Sequence, residues 1–471
     1  VATVSAAGVV TAVNPGDAVI TATYLGQSDT VNINVAVPSR PPAVLAHRYS
    51  FGDAVDSTVL ADSVGGLNGT VLGTVAFTGT GTAVFPGDRA SYIDLPNGIA
   101  SGLGANGTLE AWVTFPSSGA GGWQRLFDFG NTTLGEDPIH PDLGGTGGYN
   151  GDASWFFAPR QGAITAANGG RYAFDPGPGG ENPGINPPVA LAAPLDQEFH
   201  VVATFNHDQR VATIWINGQF GGQAAIPADR PLSSLDDVNN WLGRSQWSGD
   251  ANSTATFNEF RMYSGAPSEL EIAVSRAAGP DTIIADPGTV ESLAMQAGAT
   301  SAVAGGPAVS LSLLADFTAI DGVNVSFVPG VSITSSDTSV ARILTGPTRI
   351  LPVGPGTATI SGGLGGQSAT PLTFTVTAAP ALQLAHRYAF DANASDAIGG
   401  KNGDLVSTTT PGPLFEDGGL TLAGNGYVSL PNFLFTDFFY QVEPENQPAV
   451  TLELFGSWAG GPNWQRVLDF G

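Results

Sequence analysis

Phe199-His200-Val201-Val202-Ala203-Thr204-Phe205 and Arg210-Val211-Ala212-Thr213-Ile214-Trp215-Ile216 flank the polar stretch Asn206-His207-Asp208-Gln209. Apolar residues occupy every second position of both runs, and β-branched and aromatic side chains dominate. A period of two turns one face of each run toward a core, whereas a helix needs a period near 3.6. The stretch between them has the length and chemistry of a hairpin loop. The runs therefore read as two antiparallel strands. The same grammar recurs at Tyr92–Leu95, Thr108–Phe115, Arg125–Phe129 and Ala255–Tyr263, separated by residues that favour turns. Ser268–Arg276 is the one short helix candidate. The fold class is all-β: a multidomain chain of antiparallel β-sandwiches.

Composition agrees. Of 471 residues, 64 are glycine and 34 proline, which favours short strands and tight turns over helices. Hydrophobic residues make up 42% of the chain, enough for real cores, and its length has room for roughly three to four domains. Charged residues make up only 12%, with a net charge of −25 and a single lysine, Lys401. Phosphate recognition needs clustered basic residues, so nucleic acid is excluded as a partner, and an anionic membrane is disfavoured likewise. Cysteine is absent, so no disulfide holds the fold. No apolar run reaches the roughly 20 residues needed to span a bilayer.

The chain also repeats itself. Leu45-Ala46-His47-Arg48-Tyr49-Ser50-Phe51 returns 339 residues later as Leu384-Ala385-His386-Arg387-Tyr388-Ala389-Phe390. Asp62…Asn68-Gly69 returns as Asp396…Asn402-Gly403, and Trp123-Gln124-Arg125…Asp128 as Trp464-Gln465-Arg466…Asp469. Val1-Ala2-Thr3-Val4 and Val340-Ala341-Arg342-Ile343 keep the 339 spacing in a different module. The unit is far longer than the 20–50 residues or so of a solenoid repeat, so whole domains alternate. The boundaries read as follows: residues 1–37, the C-terminal part of a small all-β module; 38–43, a proline-rich linker; 44–278, a large module; 283–378, a small module; and 383–471, the N-terminal part of a second large module. Both ends are expected to continue into further repeats, or to be completed by strand addition from copies of the chain. The loop-rich stretch 134–196 is expected on one rim of the large module.

The large module resembles the bacterial laminin-G-like, or concanavalin A-like, jelly-roll domain. The resemblance rests on His47-Arg48-Tyr49, Asp62…Asn68-Gly69, Glu110-Ala111-Trp112, Trp123-Gln124-Arg125, Ile216-Asn217-Gly218, Asn240-Trp241-Leu242-Gly243-Arg244 and Asn258-Glu259-Phe260-Arg261. The small module resembles the bacterial Ig-like domain of group 2, through Val1-Ala2-Thr3-Val4-Ser5 and Gly16-Asp17-Ala18-Val19-Ile20. Together they imply two packed antiparallel sheets per module, an extracellular or bacterial cell-surface location, and no fixed activity, because such sandwiches serve as lectins, adhesins, glycanases and spacers.

Candidate sites follow from the polar residues inside the phrases that carry the resemblance and their repeats. Related jelly rolls often hold a structural Ca²⁺ on loop oxygens; Asp62 with Asn68, Asp396 with Asn402, and Glu259 are the metal candidates. Asp62 reads first as an Asx-turn residue and second as a ligand. Trp123, Arg125, Trp241 and Arg244 are candidates for a glycan platform, polysaccharide being the partner. The alternative for these residues, and the favoured one, is a set of partly buried arginine–carboxylate pairs with tryptophan as core. His47 and His386 read as packed, hydrogen-bonded imidazoles. No catalytic residues are assigned. Glu110 is followed by Trp112 and Phe115, and Glu259 by Arg261 and Ser264, so neither starts the alternating acidic pattern of a retaining glycanase. The expectation is a non-catalytic, repeat-bearing structural protein of a bacterial surface or fibre. A Ca²⁺-dependent glycan-binding adhesin is the alternative, and a polysaccharide-cleaving enzyme a remote one.

Overall fold

Two eight-stranded antiparallel sheets dominate the computed structural model. It describes residues 2–5, 7–12, 16–35, 40–165, 169–175, 184–186, 192–379, 384–408, 410, 412–422, 424, 426–432, 451–457 and 466–469. Residues 38–39 of the expected linker, parts of the 134–196 rim, and Trp464 and Gln465 lie outside them. Residues 1–379 form one compact unit and 380–471 another.

The first large sheet runs in the order Gly184–Ile185, Arg171–Asp175, Gly151–Ala158, Phe127–Thr132, Asn239–Leu242, Tyr92–Leu95, Gly69–Leu72, Val59–Leu60. The second runs Gln219–Ala225, Val211–Ile216, Phe199–Asn206, Gly107–Thr114, Thr254–Ser264, Ala83–Pro86, Ala76–Phe77, with Val44–Tyr49 also paired to Thr254–Ser264. The hairpin read from the sequence is present in the register Val201↔Ile216 to Asn206↔Val211. Period-two alternation sends Leu109, Ala111, Val113, Phe199, Val201, Ala203, Phe205, Ile214 and Ile216 into one shared core with Phe127, Phe129 and Trp155 of the facing sheet. This is a concanavalin A-like jelly roll.

The outward faces of the central strands are buried too. In Gly107–Thr114 every residue but the last is buried, which a one-sided sheet would not show. On the second sheet the cover is the helix Glu269–Ala278. Ser268 caps it, accepting from Glu271 N–H at 3.1 Å while the Glu271 carboxylate accepts from Ser268 N–H at 2.5 Å. Ile272 packs outward-facing Val202 and Trp215, while Ala273 and Val274 join the core of the next module with Leu313, Ala315 and Val323.

That next module has two five-stranded sheets. One contains Val290–Ala297, Val309–Phe317, Ile320–Asn324, Ala341–Leu344 and Arg349–Pro352. The other contains Ser301–Val303, Ser332–Ser335, Gly356–Leu364, Gln367–Ser368 and Leu372–Thr377. Near the N-terminus, Gly16–Tyr24 pairs with Gln27–Val35 through Leu25 and Gly26, both at positive φ (49° and 79°), as a two-residue hairpin turn requires. In the unit 380–471, Asp404–Ser407 pairs with Gly426–Ser429 and Leu414–Glu416 with Gly419–Thr421.

Candidate functional site

Three polar constellations carry the residues singled out in the sequence. The first is a loop node at Asp62. Its Oδ1 accepts from the N–H groups of Arg48 (3.0 Å), Val64 (3.0 Å) and Gly65 (3.1 Å). Its Oδ2 accepts from Leu67 N–H (3.0 Å) and His47 Nδ1 (2.7 Å). Burial would raise its pKa, but these donors outweigh it and hold the carboxylate below its ordinary range. Asp62 N–H in turn donates to Asn68 Oδ1 at 2.9 Å, and Tyr49 OH to Leu67 O at 2.7 Å. The repeat rebuilds this node in full. Asp396 accepts from His386 Nδ1 (2.6 Å), Arg387 N–H (3.0 Å), Ile398 N–H (3.1 Å), Gly399 N–H (3.0 Å) and Lys401 N–H (3.0 Å), and donates through its own N–H to Asn402 Oδ1 at 2.9 Å.

As metal candidates, Asp62 and Asn68 thus meet through a hydrogen bond, and so do Asp396 and Asn402. Both Asp carboxylates already receive five donors. Glu259 does not join Asp62: it bonds the far end of Arg48. Among the described residues no three His, Asp or Glu side chains gather to hold a metal ion.

The second constellation covers the outer face of the first sheet. Strand register sets Trp241 beside both Asp94 and Asp128, so the three share one face. Arg125 lies over this face with its guanidinium 4.1 Å from the Phe156 ring and 5.5 Å from Trp247, bonding Asp128 Oδ2 (3.1 Å) and Asp250 Oδ2 (2.8 Å). Arg244 lies 3.9 Å from the Trp241 ring and 4.5 Å from Tyr92, and donates to Pro138 O. Trp241 is 0% exposed, Arg125 3% and Arg244 4%. A sugar cannot reach them, and the glycan-platform reading is corrected for these three: an arginine already occupies each aromatic face. Trp123 alone of the four is part-exposed. Burial, reinforced by Asp137, pushes Asp94 up to about 7; burial, opposed by Arg125, pushes Asp128 up to about 7.

The third lies on the outer face of the second sheet and was not foreseen as a unit. Glu110 accepts from His200 Nε2 (2.8 Å), Tyr263 OH (2.7 Å) and Arg261 Nη1 (3.4 Å). Arg261 Nε also donates to Glu259 Oε1 at 2.6 Å, an oxygen shared with Arg48 Nε at 2.6 Å. The two guanidiniums then reach the connector after the helix: Arg48 Nη2 donates to the carbonyls of Pro280 and Asp281 at 3.3 Å, and Arg261 Nη2 to that of Pro280. Trp112 is sandwiched between His200 (4.4 Å) and the Arg261 guanidinium (4.7 Å). Burial alone would raise the Glu110 pKa, but His200, Arg261 and Tyr263 hold it at about 2. Beside this cluster opens a cleft of about 460 Å³ between the jelly roll and the following module. The alternation of the 199–205 run was the available signal for His200, since it turns that residue to the outer face, where strand register sets it beside Trp112.

The family model of the concanavalin A-like lectin/glucanases superfamily (Laminin_G_3) matches residues 87–273. No curated protein matches the chain. Among solved structures, the fourth domain of an extracellular arabinanase from Geobacillus stearothermophilus, in complex with arabinotriose, is 19% identical, with 49% of this chain and 98% of that one covered, at a TM-score of 0.35. Trypanosoma rangeli sialidase in complex with sialic acid is 16% identical, with 51% of this chain and 33% of that one covered, at a TM-score of 0.33. A sialidase carbohydrate-binding module from Ruminococcus gnavus, bound to α2,3-sialyllactose, is 18% identical over 36% of this chain and 82% of that one, at a TM-score of 0.28.

Proposed function

We propose that this chain is a segment of a non-catalytic extracellular structural protein of a bacterial surface or fibre, in which jelly rolls alternate with Ig-like sandwiches along a tandem array. One observation carries the reading. The junction after the jelly roll is packed rather than a free tether, with the helix Glu269–Ala278 contributing side chains to the hydrophobic packing on both sides. Arg48 and Arg261 pin the connector carbonyls from below. A joint of this kind transmits orientation from one module to the next, as a load-bearing rod needs and an isolated binding module does not. The repeated Asp62 and Asp396 nodes support the tandem reading, because the same loop is constructed twice from the same residues.

The chemistry on view supports a role without catalysis. Glu110 and Glu259, the acids nearest to a glycanase pair, are 3% and 1% exposed and bridged by Arg261. A retaining mechanism needs a free nucleophile and a protonated acid reaching substrate. Electron microscopy of molecules carrying one, two and three tandem copies of the repeat tests the proposal: length should grow in equal steps. Globules of unchanged length, or turnover of a polysaccharide, would refute it.

A second reading, glycan binding by the jelly roll, is favoured by the match of residues 87–273 to a superfamily that includes lectins. With the arginine-filled face closed, it requires another surface.

A further inference from the structure

The cleft between the jelly roll and the following module has features that packing alone leaves unexplained. His200 is 1% exposed and lines it. Its Nε2 donates to Glu110, and its Nδ1 has no hydrogen-bond partner. That nitrogen is itself closed to solvent, so His200 forms a buried polar wall behind the cleft rather than a contact for a ligand. Arg276 lines the same cleft from the last turn of the helix. Its guanidinium donates to Asn217 Oδ1 at 2.9 Å and has no carboxylate within ion-pair distance among the described residues. Gly218 makes this placement possible: a Cβ there would come within 2.9 Å of Arg276 Cδ. The opposing polarity is also present, since Glu198 and Asn324 line the cleft. One Glu198 oxygen accepts from Asn258 at 2.7 Å, which leaves the other for a ligand hydroxyl.

We propose that this cleft binds a carboxylated pyranose, a sugar ring bearing one carboxylate and several hydroxyls. The carboxylate would sit against Arg276 and Asn217, where the guanidinium fork matches its geometry. Ring hydroxyls would take the free Glu198 oxygen and the remaining Asn324 amide hydrogen. The volume of about 460 Å³ falls within the ordinary range of small-ligand clefts. A wholly neutral sugar would leave Arg276 without a counter-ion, and a bare anion would bring no hydroxyl to the free Glu198 oxygen. The ligand's walls come from two modules, so binding would also tighten the joint. The proposal gives the glycan-binding reading a site, and the rod reading does not depend on it.

Calorimetry and saturation-transfer NMR on the full chain test the proposal with D-glucuronate, N-acetylneuraminate, D-glucose and acetate. Saturable binding of either acidic sugar, with glucose and acetate weaker, is the expected result. Which acidic sugar binds better tells whether the source is a uronate polysaccharide or a sialylated glycan. Arg276→Gln should weaken that binding by about 10- to 100-fold, the cost of one charge-assisted contact, and Arg276→Lys by less. Arg276 is exposed, so circular dichroism should show both variants folded. Equal binding of glucose or acetate, or no saturable binding of either acidic sugar, overturns the proposal. Binding that Arg276→Gln leaves unchanged overturns this site while keeping glycan binding elsewhere on the jelly roll.

Discussion

The Phe327 ring lies 5.2 Å from the Trp215 ring, across the seam between the jelly roll and the module that follows it. Trp215 projects from the outer face of its sheet, where a solitary domain would expose it to water; here it is 7% exposed. The seam is therefore a continuation of the core, and its strength is measurable.

Phe327→Ala should loosen the seam without unfolding either sandwich. The expected loss is about 1–3 kcal/mol, below that of a fully buried aromatic because Phe327 is only part-buried. Hydrogen exchange would then report faster exchange of helix 269–278 amides, with the strand Gly107–Thr114 unchanged. Uniform acceleration in all strands would contradict the joint as described.

Glu110 links stability to acid. Its pKa is depressed from 4.5 to about 2, so its contribution is complete above the ordinary value and disappears as pH falls toward 2. At about 1.4 kcal/mol per unit, the contribution is on the order of 3 kcal/mol near neutral pH. Glu110→Gln should lower the denaturation midpoint at neutral pH and bring it close to wild type in strong acid.

Asp94 works in the opposite sense. Its pKa is raised from 3.8 to about 7, so its favourable contribution is full below the ordinary value and is lost as pH rises through 7. Its share of the stability of the native chain should therefore decline between about pH 4 and pH 7 and level off above that. Asp94→Asn should flatten that decline, with a gain on the order of 2 kcal/mol at the alkaline end after allowance for partial solvation. Urea midpoints across the range would check it; an unchanged slope in the variant counts against the assignment.

The Asp62 node gives a metal test. Because five donors already fill its carboxylate, neither added Ca²⁺ nor chelator should shift the melting temperature. Gly65→Ala, by contrast, drives a Cβ to 2.3 Å from His47 Nδ1 and 2.6 Å from Ala46 O, and should cost about 2–4 kcal/mol by breaking the node. Gly399→Ala meets His386 Nδ1 at the same 2.3 Å and should act alike. A rise in melting temperature with Ca²⁺ that Asp62→Asn abolishes would restore the ligand reading.

Arg125 is locked into the first sheet by charge. Arg125→Met leaves the fully buried Asp128 without its counter-ion and should cost about 3–5 kcal/mol. The double variant Arg125→Met, Asp128→Asn should recover part of that loss, a non-additivity visible in a thermodynamic cycle.

Much of this was present in local sequence. Alternation between residues 199 and 216 specified a hairpin whose inward and outward faces are as read. The run Ser268–Arg276 read as a short helix, and the structure has one at Glu269–Ala278. The arginine–carboxylate reading anticipated Arg125 with Asp128, three residues apart in one phrase. Glu259 was harder. Its position late in the module suggested a ligand that approaches Asp62 as the sheet closes, yet strand alternation places it on the face of Arg261, two residues on, and Arg48 lies between it and Asp62.

The sequence alone determined the strands, the turns and the internal repetition, because those depend on neighbours a few bonds away: side-chain period, turn dihedrals and cap chemistry. Tertiary structure alone decided that Glu110, His200 and Arg261 meet, that arginines fill the aromatic face, and that Arg276 and His200 border one cleft. Those meetings depend on which distant strands pair and in what register, and on how the helix settles between two cores. That settlement is a global minimum over the whole chain, which no local pattern encodes.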